Sequence, residues 1–80
     1  MYKIDPDFAA IIGLKNHESI SRKDFQNAFI GFAINKGIID METRCYNVAK
    51  IEFIAKRLNC TAIQPRELFK YLQPVMTPLS

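Results

Sequence analysis

Apolar positions recur at helical spacing in four stretches of this chain, separated by polar turns and a few short β-prone pairs. Asp5-Pro6 reads as a helix entry, with Asp as N-cap and Pro in the first turn, where its missing N–H is harmless. Phe8, Ile11 and Ile12 follow at i, i+3, i+4, and Gly13 closes the short helix. The second and longest stretch runs from Arg22 to Lys36, with Ser21 as N-cap, Asp24 in the first turn and Gly37 as the left-handed stop. A third helix is predicted from Val48 to Leu58, capped by Asn47 and closed by Asn59, with Ile51, Ile54, Ala55 and Leu58 on its inner face. Pro65 opens a fourth, crowded with Leu68, Phe69, Tyr71 and Leu72, which Pro74 must end. The pairs Ile38-Ile39, Cys45-Tyr46 and Val75-Met76 are short enough only for brief strands, and a frayed tail follows Pro78. Mainly α, with a minor β part (α+β), is the class this pattern implies.

The second stretch has more apolar surface than one packing face uses. Phe25, Ala28, Phe29, Phe32 and Ala33 form an ordinary core stripe. Ile30 and Ile34 lie one turn apart on another face, with Gln26 one turn before them. A helix apolar on two sides needs two things to pack against, and the second is either its own chain or a partner.

The 80 residues suit a single domain, 1–80, with a core expected over about 8–78. A chain of this size buries only about 60% of its unfolded surface. A hydrophobic content of 49% supports a core, and no apolar run approaches the ~20 residues of a membrane span. The opening MYKIDPDFAA lacks the pattern of a secretory signal, so an intracellular, non-secreted protein is expected: nuclear if eukaryotic or viral, cytoplasmic if bacterial. In that setting Cys45 and Cys60 are expected to be free thiols.

Candidate chemistry changes the picture little. No phosphate loop, nucleophile elbow, paired-Cys motif or HExxH appears, and His17, the one histidine, sits in a polar connection beside Glu18. Neither cysteine has a second ligand at zinc spacing. The expectation is therefore a non-enzyme without cofactor or metal. The net charge of +3 is spread along the chain. A nucleic-acid surface built from Arg22, Lys23, Lys56, Arg57 and Lys70 is the alternative function that charge suggests.

The order of motifs resembles the SWIB/Mdm-type domain family. Ser21-Arg22, the apolar helix and Ile38-Ile39-Asp40 are similar to that family's Ser/Thr-Arg, hydrophobic helix and Leu-Gln-Asp. ELFKYLQPVMTP, from Glu67 to Pro78, resembles its closing run, and Phe8-Ala9-Ala10-Ile11-Ile12-Gly13 its opening element. This sequence departs from the family at Ile30, where an aromatic is usual, at Ala33, at Asn59 and in the segment from Asp40 to Asn47. The resemblance implies an open four-helix bundle capped by two very small β-sheets. It also implies a protein-interaction module of chromatin or transcription machinery that holds an amphipathic helix of its partner in an apolar groove. By register, the groove positions fall on Gln26, Ile30, Ala33, Ile34 and Ile39, with Leu68 and Tyr71 on the facing wall. A homo-oligomer that covers the surplus apolar face with its own copy is a further reading.

Overall fold

The computed structural model describes residues 1–79. The chain is α+β, with four α-helices and one two-stranded antiparallel sheet among these residues. Strand β1 (Tyr2–Ile4) precedes helix α1 (Pro6–Ile12). Helix α2 spans Arg22–Lys36, α3 Glu52–Leu58 and α4 Leu68–Leu72, and strand β2 (Met76–Pro78) closes the order.

Local cap chemistry sets the first two helices. The Asp7 N–H donates to the Asp5 carboxylate at 3.3 Å, and Gly13 ends α1 with φ of 74°. At α2 the Asp24 N–H donates to Ser21 Oγ at 3.1 Å, and Gly37 turns out of the helix at φ 68°. Both ends of α2 therefore fall where hydroxyl and glycine dictate.

Helix α3 is shorter than its apolar spacing predicts. Val48–Lys50 winds as a 3₁₀ turn, Ile51 is extended (φ −122°, ψ 100°), and the α-helix starts only at Glu52. The preceding backbone is held from outside: the Asn47 N–H donates to the Ile38 carbonyl at 2.6 Å and the Ala49 N–H to that of Thr61 at 3.1 Å. Those bonds fix the chain before a helix can form, and β-branched Val48 and Ile51 resist helical geometry least costly for straight chains. The side chain of Asn47 makes no cap bond. The last helical run is segmented likewise, with 3₁₀ turns at Pro65–Glu67 and Gln73–Val75 on either side of α4. Prolines at both turns supply fixed φ but no donor.

The β structure is long-range. Tyr2 faces Pro78, Lys3 faces Thr77 and Ile4 faces Met76, and Tyr2 also exchanges hydrogen bonds with Ile20 at 2.8 and 3.0 Å. The fully buried Ile4 extends the core ahead of residue 8, where sequence pattern began it. In place of a second sheet, isolated bridges join Ile39 to Tyr46 and Tyr46 to Ile63. The Leu79 N–H donates to the Met1 carbonyl at 2.9 Å, so the expected fraying does not begin at Pro78; Ser80 lies outside the described residues.

Phe8, Phe25 and Phe29 form the centre of the core. The Phe8 ring stacks on Phe29 and meets Phe25 edge-on, each at 6.1 Å between centroids, which seats α1 on α2. Phe29 also meets Tyr46 at 5.8 Å, so the same helix carries the bridged segment. Such contacts contribute about 0.5–1.5 kcal/mol each beyond their burial. Arg57, at the end of α3, donates to Asp5 at 2.6 Å and Asp7 at 3.1 Å and lies 5.0 Å over the Phe53 ring.

Candidate functional site

The second apolar face of α2 is covered at its start and open at its end. Ile30 is half-buried, whereas Ile34 is 64% exposed. The Gly37 turn then sends Ile38 into the core and leaves Ile39 half-buried. Alternation along an extended pair puts those two side chains on opposite sides.

After Ile39 the chain makes a tight polar turn. The Asp40 carboxylate accepts from the N–H groups of Glu42 (2.9 Å) and Thr43 (3.4 Å). The Arg44 N–H donates to the Asp40 carbonyl at 2.7 Å, with Arg44 itself at φ 64°, and the Asp40 N–H donates to the Cys45 carbonyl at 2.9 Å. The two backbone N–H donors hold the Asp40 carboxyl below its ordinary pKa. This turn leaves Met41 77% exposed and returns the chain at Tyr46, whose burial pushes its phenol pKa up.

These elements enclose a hollow of about 270 Å³, lined by Ile30, Ile34, Ile39, Met41, Arg44, Tyr46 and Pro65. Its lining is aliphatic along α2, and Tyr46 and Pro65 join it from later in the chain. Three of the seven residues placed in a groove by register therefore meet at one cavity. The other four do not line it. Ala33 is 0% exposed and Leu68 4%, because both sit within the core and a docked molecule could touch neither. Gln26 and Tyr71 are half-buried, Tyr71 with the Lys70 ammonium 5.9 Å from its ring. The wall from the last helical run is Pro65, in the 3₁₀ turn before α4.

Met41, Arg44, Tyr46 and Pro65 were missed by sequence reasoning. The one available signal was Met41, a long apolar side chain in an otherwise polar turn. The others depend on the path of the 40–46 turn and on its bridge to Ile63.

A second hollow of about 300 Å³ adjoins the first, sharing Pro65 and lined by Thr43, Cys45, Gln64 and Arg66. A third, about 560 Å³, is a shallow trough along α3 between Ala49, Glu52, Ala55, Lys56, Asn59, Cys60 and Thr61. Its rim carries the exposed Glu52–Lys56 pair (3.0 Å) and it offers few apolar anchors, which makes it the weaker candidate.

Chemistry is sparse at all three. Among the described residues no group of three His, Cys, Asp or Glu is close enough to hold a metal ion. Cys45 and Cys60 are free thiols, and burial raises the Cys60 pKa. No helix is long and apolar enough to cross a membrane. No family model, no curated protein and no solved structure matches this chain.

The five basic residues considered for nucleic acid are divided by the fold. Arg57 is held by Asp5 and Asp7, and Lys56 by Glu52. Arg22 stacks over Phe69 at 4.4 Å, beside Tyr2, whose ring meets Phe69 at 6.4 Å. Lys23 and Lys70 are exposed. Lys56 and Arg57 thus each face a carboxylate, whereas Arg22, Lys23 and Lys70 pair with none among the described residues.

Proposed function

We propose that this chain is a non-enzymatic interaction module that seats apolar anchors of an amphipathic helix from a protein partner. The observation that carries the reading is the aliphatic hollow at the open end of α2, where Ile34 is exposed beside Ile30 and Ile39. Helix-in-groove recognition uses a few such anchors at i, i+3/i+4 and i+7. Size supports it: about 270 Å³ lies below the usual range for a small-molecule site but suits one or two side chains. Lining chemistry supports it as well, because among the described residues that line the hollow five of the seven carry no titratable group.

The resemblance to SWIB/Mdm-type domains points the same way. Four helices, a two-stranded sheet and a second set of bridged residues are compatible with its open bundle. Service in chromatin or transcription machinery is the partner class the resemblance suggests.

Two buried anchors contribute roughly 3–6 kcal/mol in total. A micromolar complex needs about 8 kcal/mol net of ordering costs, so the partner makes further contacts beyond the hollow. A quantitative pull-down from host extract tests the proposal, comparing wild type with Ile34→Glu. Proteins retained by the wild type and lost from a folded variant support docking; identical recovery on both baits refutes it.

A further inference from the structure

We propose that the hollow at the open end of α2 carries a redox switch, in which a peroxide converts Met41 to its sulfoxide and weakens whatever docks there. The switch rests on the docking reading above and supplies the regulation of that site. The oxidised chain keeps its fold and loses its partner, and reduction of the sulfoxide restores binding.

Position and exposure single out Met41. Peroxides act on the sulfur of methionine and cysteine, and of the seven residues that line the hollow only Met41 carries sulfur. Its exposure is 77%, against 60% for Met1 and 8% for Met76, so it is the most accessible of the three methionines. Met1 lies at the other end of the fold's sequence, its carbonyl bonded to the Leu79 N–H, and Met76 sits in the core opposite Ile4. Cys45 lines the second hollow and Cys60 the trough along α3. Burial that raises the Cys60 pKa keeps it in the less reactive thiol form.

The step is an oxygen transfer from hydrogen peroxide. The thioether sulfur attacks one peroxide oxygen, the O–O bond breaks as the S–O bond forms, and the second oxygen leaves as water. Sulfur is oxidised by two electrons and the peroxide is reduced by the same two. A polar acceptor then stands where a soft apolar side chain did. In the free chain water solvates that oxygen. Under a docked apolar anchor it loses the water and faces Ile30, Ile34 and Ile39, which offer no side-chain donor. A bond to Arg44 or Tyr46, the donors in the lining, would draw a polar group over the same aliphatic surface and so oppose docking too. The fold is spared because the bonds that shape the turn join Asp40, Glu42, Thr43, Arg44 and Cys45 and use no atom of the Met41 side chain.

The full chain, treated with dilute hydrogen peroxide that catalase then removes, tests this. Peptide mapping by mass spectrometry reads which methionines have gained oxygen. Fluorescence anisotropy reads binding of a labelled peptide, selected on the untreated chain from a displayed random library and weakened by Ile34→Glu. Met41 and Met1 should oxidise ahead of Met76. Chain oxidised at Met41 but not at Met76 should bind roughly five- to thirtyfold more weakly, with a Tm within about 2 °C of the untreated chain. Met41→Leu chain treated alike should keep its Kd to within about twofold, which separates Met41 from Met1 and the two cysteines. Methionine sulfoxide reductases for both epimers, with a dithiol that becomes a disulfide as water is released, should restore the original Kd. Met41 that resists peroxide while Met1 yields, unchanged binding after oxidation of Met41, equal loss in Met41→Leu, or a melt that loses cooperativity on oxidation overturns the switch and leaves the docking reading standing. Selection that returns no peptide sensitive to Ile34→Glu overturns the docking reading and the switch with it.

Discussion

Replacing Ile34 by glutamate separates a docking surface from a core position. Ile34 is 64% exposed, so only about a third of its surface is already buried. Full burial of such a side chain is worth roughly 1.5–3 kcal/mol, and a third of that is about 0.5–1. Position 34 lies in the last turn of α2, three residues before Gly37, where a carboxylate opposes the helix dipole at about 0.3–1 kcal/mol. Glutamate's better helix propensity returns a few tenths. The net cost to folding is near 1 kcal/mol, a drop of about 4–8 °C in Tm for a domain of this length. Binding should suffer more. Docking would bury the remaining two thirds of the isoleucine, roughly 1–2 kcal/mol, and desolvating a polar group in the hollow that Arg44 also lines adds about 1–2 more. The expected loss is then roughly 2–4 kcal/mol, about thirty- to a thousandfold in Kd. Thermal melts followed by circular dichroism read the first quantity, and fluorescence anisotropy with a labelled peptide selected on the wild-type chain from a displayed random library reads the second. A melt that loses its cooperative transition means the side chain is structural. A Kd within twofold of wild type means partners dock elsewhere. Either result refutes the reasoning.

Removing the α2 cap with Ser21→Ala deletes the acceptor for the Asp24 N–H and should lower stability by about 1 kcal/mol, read as a shift in urea midpoint without a change in m. Two glycine substitutions should move stability in opposite directions. A Cβ meets nothing within 4 Å at either Gly31 or Gly37, so backbone conformation alone decides. Gly37→Ala forces φ 68° on an alanine and should cost about 1 kcal/mol, whereas Gly31→Ala, inside α2, should gain up to about 1 kcal/mol. If both destabilise, helix α2 does not run continuously through residue 31. The 40–44 turn should loosen in acid. Asp40 titrates below the ordinary carboxylate range, so its contribution is complete above that range and fades as pH falls through its lowered pKa. The amide signals of Glu42 and Thr43 should move together in that window in an NMR titration, and the transition should vanish in Asp40→Asn.

How much was legible in the sequence depends on how local the determinants are. Helices α1 and α2 begin and end where Asp5, Ser21, Gly13 and Gly37 say, because a cap acts within four residues of itself. The α3 boundary is not legible because apolar spacing continues through Val48 and Ile51, while bonds from Asn47 to Ile38 and from Ala49 to Thr61 hold that backbone in another shape. No window along the chain contains those partners. The pairing of Tyr2–Ile4 with Met76–Pro78 is harder still, since it joins the two ends of the sequence. At the candidate site, Ile30, Ile34 and Ile39 were legible as apolar residues off the core stripe. Register gave Ala33 and Leu68 a facing direction but not a depth, and both lie below the surface. Arg44 and Pro65 meet the hollow through a positive-φ turn and a long-range bridge, neither of which has a sequence signature here.

The open end of α2 follows from the brevity of what surrounds it. Just beyond Gly37 the chain has one tight turn and the bridged residues Ile39 and Tyr46 with which to cover Ile34, and α4 contributes only five residues of α-helix, beginning after the Pro65–Glu67 turn. A domain of 80 residues has a total stability of about 4–12 kcal/mol. Burying the exposed parts of Ile34 and Met41 would add roughly 1–2 kcal/mol each, a sizeable share of that margin. Single exposed apolar residues are ordinary on protein surfaces, but these two line one cavity, and clustering is what marks an interaction surface. The phenylalanine centre formed by Phe8, Phe25 and Phe29 holds the fold together on the other face of the same helix. Stability and the proposed docking therefore fall on separate sides of α2, so Phe29→Ala should cost about 3–5 kcal/mol of folding while changes at Ile34 cost about 1.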